Sequence, residues 1–149
     1  MTRLAPWIAA ATLIALGSAS AAPAPTLHAH AALADPTVIG ATTLTGYSPP
    51  VVVVPSGGSV AWRSTDGGHN QRETSTPLGS PSGCFSVPST TSADSTPVQF
   101  DVSGNTVTAT VGSTTATCLN AVSVGGAAFV VPYHCTIHPN MNGLIVVTA

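Results

Sequence analysis

At 149 residues the chain is long enough for one domain with a real core, and short for two. Charged residues make up 5% of it, lysine is absent, and the formal net charge is −2 at pH 7. Such a surface carries no basic footprint for nucleic acid and little with which to dock a partner by charge complementarity; Ser, Thr and Asn side chains must keep it soluble.

The first residues read as an export signal. Arg3 supplies a positive start, Trp7 to Leu16 an apolar stretch, and Ser18 to Ala22 a small-residue cleavage region. The apolar stretch is too short to span a bilayer comfortably, so residues 1–22 are expected to be a signal peptide. The mature protein then begins between Ala21 and Ala34 and is periplasmic or extracellular, with no membrane anchor once the signal is removed. Residues 23–36, rich in Ala and Pro, read as a flexible N-terminal arm. His28 and His30 lie in it, and an exposed spacer is a better reading of them than a metal site.

From Thr37 onward the signals are those of strands. Thr37 to Thr45 is β-branched, Pro49 to Val54 is a continuous apolar run, and Pro55-Ser56-Gly57-Gly58 is a turn. Ser59 to Arg63 alternates, with Val60 and Trp62 on one face. Pro97 to Val102, Thr106 to Val111 and Ala121 to Val124 follow, and then Ala127 to Val131 and Leu144 to Val147. No helical period occurs outside the leader, so the domain at 37–149 is expected to be an all-β sandwich or barrel of antiparallel strands. Residues 74–97, dominated by Ser, Thr and Pro, interrupt the pattern and read as an inserted surface loop.

Between the last two apolar runs lies Tyr133-His134-Cys135-Thr136-Ile137-His138-Pro139-Asn140-Met141-Asn142-Gly143. A thiolate selects soft or borderline metals, an imidazole suits copper or zinc, and a thioether favours copper. Cys135, His138 and Met141 are therefore candidate ligands. His134, adjacent to Cys135 on a strand, points to the opposite face and cannot share the same ion. Beyond the arm that leaves His69, in Asp66-Gly67-Gly68-His69-Asn70, as the fourth candidate, carried on a loop. With three cysteines in an exported chain, one is left over. Cys135 has the metal neighbours, so Cys84 and Cys118 are the expected disulfide pair, two separate thiols being the alternative.

These residues resemble the cupredoxins, the type 1 (blue) copper proteins, and most closely the amicyanin and plastocyanin group. The resemblance rests on His69-Asn70 and on Tyr133, Cys135, His138, Met141 and Gly143, and it covers Val38 to the C-terminus apart from the 74–97 loop. It implies an eight-stranded Greek-key β-sandwich with one copper per chain, cycling between Cu(I) and Cu(II) at one end. The implied role is a monomeric one-electron carrier between redox protein partners, not an enzyme. Position 137 is Ile where amicyanin and plastocyanin have Pro, so Ile137 N–H can donate to the Cys135 sulfur in addition to Asn70 N–H. Two other roles are weighed. His134-Cys135 matches the pair used by copper oxidoreductases, but the chain lacks their further paired histidines. A copper delivery module needs more Met or Cys than is present.

Overall fold

The computed structural model describes residues 35–74 and 83–149. The expected signal peptide, nearly all of the arm with His28 and His30, and the first part of the 74–97 loop lie outside the described residues.

Alternation sets most of the strands. In Val51–Pro55 (β3) the side chains of Val52 and Val54 are buried and those of Val51 and Val53 are exposed, as period 2 requires. The strands before it are Thr37–Thr42 (β1) and Gly46–Ser48 (β2), and after it come Ser59–Ser64 (β4) and His69–Glu73 (β5). Ser86–Ser89 (β6), Val98–Ser103 (β7), Thr106–Val111 (β8), Thr114–Thr117 (β9) and Val122–Ser123 (β10) follow, and Ala128–Cys135 (β11) and Asn142–Thr148 (β12) close the chain. The described residues thus hold twelve strands and no helix, where eight strands were expected. The excess comes from short pieces such as β2, β9 and β10, which have two to four residues each.

They form two sheets. One has the order β2-β1-β4-β7-β8-β9; the other has β3-β12-β11-β5-β6, with β10 added to β11. Two pairings are parallel, β1 with β4 and β3 with β12, against the expectation of antiparallel strands throughout. The reason is connectivity. After the β1–β2 hairpin the chain crosses to the second sheet as β3 and returns as β4, so β4 meets β1 running the same way.

Residues from both sheets fill the core. Trp62 on β4 and Phe100 on β7 come from the first sheet, and Val131 and Tyr133 on β11 and Ile145 on β12 come from the second. Each such side chain contributes about 1.5–3 kcal/mol on full burial, so the hydrophobic term carries the fold. Trp62 stacks on Phe85 with ring centroids 5.6 Å apart and meets the Tyr133 ring edge-on at 5.3 Å. That aromatic layer lies behind the end of β11 where Cys135 sits.

The 74–97 window is only partly loop. Ser86–Ser89 forms β6 and pairs with β5, with Gln71 opposite Val87. The window is fastened at Cys84, which is bonded to Cys118 with Cα atoms 4.7 Å apart. The expected disulfide is therefore present. No helix among the described residues is long and apolar enough to cross a membrane.

Candidate metal centre

Three chain segments deliver the donor atoms. β5 opens with His69, and β11 ends with Cys135; the two strands pair, with Cys135 opposite Gln71. Beyond Cys135 the chain turns through Thr136–Asn140 and re-enters the sheet as β12. Two hydrogen bonds close that turn: Cys135 N–H donates to the Met141 carbonyl at 3.0 Å, and Met141 N–H donates to the His138 carbonyl at 3.0 Å. A third bond, Thr136 N–H to the Asn70 carbonyl at 2.9 Å, ties the turn to the strand bearing His69. The loop is thus held at its base and along one side before any ion binds.

The result is a triangle of donors. Cys135 Sγ lies 3.7 Å from His69 Nδ1 and 3.6 Å from His138 Nδ1, and the two Nδ1 atoms are 3.2 Å apart. These edges are those expected around one ion bonded to nitrogen at about 2.0 Å and to sulfur at about 2.3 Å. His69 and Cys135 are fully buried, at 1% and 0% exposure, and His138 is partly exposed. Met141, which closes the turn through its backbone, is buried at 4%. A cysteine sulfur and two imidazoles form a donor set that fits a soft or borderline metal such as copper better than any hard cation.

The rest of the motif has a packing explanation. Tyr133 and Gly143 are cross-strand partners, and a Cβ at position 143 would run into the Tyr133 ring. Glycine is therefore required where β12 passes under the tyrosine. Tyr133 in turn packs against Tyr47, with ring centroids 4.7 Å apart. Near the sulfur lie four buried polar groups that meet mainly one another: the Tyr47 hydroxyl approaches Gln71 and Cys135, and the Tyr133 hydroxyl approaches Trp62. Burial pushes both tyrosine hydroxyls well above their ordinary range, and for Tyr47 the charge of Cys135 adds to that effect.

His134 faces away from the sulfur, as alternation along β11 requires. Its Nδ1 lies 3.2 Å from Thr74 Oγ1, and burial, helped by the Arg72 charge, lowers its pKa. Asn70 is partly buried, and its side-chain oxygen accepts from the Ser86 hydroxyl at 3.2 Å. Ile137 is 58% exposed at the tip of the loop. Cys135 Sγ is approached by the two imidazoles and by the Tyr47 hydroxyl.

Three residues around the centre escaped the sequence reading. Asp66 Oδ1 lies 3.1 Å from His69 Nε2. Gln71 is fully buried and donates to Ser89 Oγ at 3.0 Å. Glu73, also fully buried, accepts from the N–H groups of Cys84 at 2.6 Å and Asn120 at 3.0 Å, so it clasps the chain on both sides of the disulfide. For Gln71 and Glu73 the available signal was the placement of polar residues at alternate positions, 69, 71 and 73, which a strand can bury together; Asp66 had none.

No family model matches the chain, and no curated protein does. Among solved structures it is similar to a novel purple cupredoxin from Nitrosopumilus maritimus, at 22% identity over 75% of this chain and 99% of that one, with a TM-score of 0.49. It is similar also to amicyanin from Paracoccus versutus, at 20% identity over 78% of this chain and 84% of that one, with a TM-score of 0.47. A reduced amicyanin variant matches at 20% identity over 76% and 82%, with a TM-score of 0.46. These neighbours are cupredoxins, the family that the motif resembles; the assignment of donor atoms rests on the geometry of this chain.

Proposed function

We propose that this chain is an exported, monomeric type 1 copper protein that carries one electron at a time between redox protein partners. The observation that carries the reading is the triangle of His69 Nδ1, Cys135 Sγ and His138 Nδ1, with edges of 3.2–3.7 Å. Met141 would add a weaker thioether ligand. One copper ion held there would supply a one-electron couple.

The protein's own contribution is rigidity and enclosure. His69 and Cys135 sit on two strands that pair with each other, and His138 sits on a turn closed by backbone hydrogen bonds. Donors fixed in this way move little between oxidation states, which keeps the cost of electron gain or loss low. Four donors leave no open position for a substrate, so a carrier fits better than a catalyst. His138 is the ligand that reaches the surface, with exposed Ile137 and Pro139 on either side of it. Electrons are assigned to enter and leave through its ring. Asn70 and Ile137 N–H are assigned as donors to the bound sulfur, since a thiolate is a stronger acceptor than a thiol.

The test is Cu(II) loading of the full chain, read by visible absorption. An intense thiolate-to-copper band toward the red, at one copper per chain, supports the reading. A folded, copper-loaded protein without the band sinks it.

A further inference from the structure

Asp66 stands three residues before His69, in the connection from β4 to β5. Its Oδ1 lies 3.1 Å from His69 Nε2. Its other oxygen, Oδ2, is held by the Thr43 N–H at 2.7 Å, the Thr42 hydroxyl at 3.0 Å and the Thr43 hydroxyl. The carboxylate is therefore pinned by the β1–β2 turn, on a part of the chain that holds none of the donor atoms. An ionised carboxylate has only acceptor atoms, so Nε2 is the ring nitrogen that carries the proton. Nδ1, the atom turned toward Cys135 and His138, then keeps its lone pair. His138 has no such orienting carboxylate among the described residues.

We propose that Asp66 is a positioning residue of the metal centre: held by Thr42 and Thr43, it locks His69 in the tautomer whose Nδ1 is free to ligate and places a fixed negative charge one imidazole away from the ion. Carboxylate–histidine–metal chains of this kind fix ring orientation and raise ligand basicity. The charge favours the higher oxidation state of the ion. The tautomer part holds for the metal-free chain, whereas the charge part rests on the copper reading. A residue that merely stapled the β1–β2 turn to the β4–β5 connection would affect folding alone.

Long-range 1H–15N NMR of the metal-free full chain, at a pH where imidazole is neutral, reads the tautomer directly. The expected result is His69 in the Nε2–H form in the unsubstituted protein and a mixture of tautomers in Asp66→Ala. On copper loading, Asp66→Ala is expected to bind Cu(II) about 10–100-fold more weakly. Its reduction potential rises by about 59 mV for each tenfold loss of Cu(II) relative to Cu(I) affinity. Asp66→Asn keeps an acceptor oxygen and loses the charge, and its potential rises as well. Asp101→Asn makes the same charge change on β7 and moves neither readout. An Nδ1–H tautomer of His69 in the unsubstituted protein overturns the proposal even if both Asp66 variants fail to fold. So does a folded Asp66→Ala whose tautomer and Cu(II) affinity are unchanged. If the unsubstituted protein shows no thiolate-to-copper band, the copper reading fails, while the tautomer result still decides the role of Asp66.

Discussion

His69 Nδ1 and His138 Nδ1 stand 3.2 Å apart at the end of the sandwich, brought there from two segments far apart in the chain. Two neutral lone pairs at that distance repel unless a proton or a cation lies between them. A bound ion relieves this repulsion only in the folded state, so copper is expected to stabilise the fold strongly. At a free copper concentration 100 times the dissociation constant, the gain is about 2.7 kcal/mol. Denaturant unfolding with and without copper measures it, and equal midpoints would show that the triangle is not a binding site.

Met141→Leu separates packing from ligation. The exchange nearly conserves volume, so the buried site should lose less than about 1.5 kcal/mol of stability. Copper binding through His69, Cys135 and His138 is expected to persist, while loss of the thioether as a ligand would raise the reduction potential. An unchanged potential in the folded variant would remove Met141 from the ligand set.

Ile137→Pro tests the proposed donor to the sulfur. Proline removes the backbone N–H at an exposed position, so the core is untouched. A hydrogen bond delocalises thiolate charge and favours Cu(I), so its loss should lower the reduction potential relative to the unsubstituted protein. Voltammetry showing no drop would leave Ile137 as a surface residue of the loop.

Gly143→Ala drives a methyl group into the Tyr133 ring. The ring is enclosed by Tyr47 and Trp62 and has little room to retreat. Overpacking of this kind costs about 1–3 kcal/mol. Because β12 follows directly from the ligand loop, the substitution should also disturb the spectrum of the copper-loaded protein. Unchanged stability would mean that Tyr133 can move aside.

Much of this arrangement was legible in the residues. Thr106 to Val111 reads as a strand and is β8 to the residue, and Pro49 to Val54 lies within two residues of β3. Cys84 with Cys118 followed from counting cysteines in an exported chain. The misses have a common cause. The sequence puts His69 on a loop, whereas it opens β5, whose sequence His-Asn-Gln-Arg-Glu shows no alternation of apolar residues. Its inward positions are His69, Gln71 and Glu73, polar groups buried because each has a specific partner. Hydropathy cannot register a strand whose buried face is built from hydrogen bonds. β6, short and with Pro88 inside it, reads as loop, although pairing with β5 holds it in the sheet. Asp66 was invisible because its importance depends on a contact with Thr42 and Thr43, which the fold alone supplies.

The most direct test of the central claim is the visible spectrum of the full chain loaded with one equivalent of Cu(II), recorded beside Cys135→Ser. The expected result is an intense thiolate-to-copper band toward the red in the unsubstituted protein, bleached on one-electron reduction and absent from the variant. A folded protein that binds the ion without that band, or keeps the band after Cys135 is replaced, would contradict it.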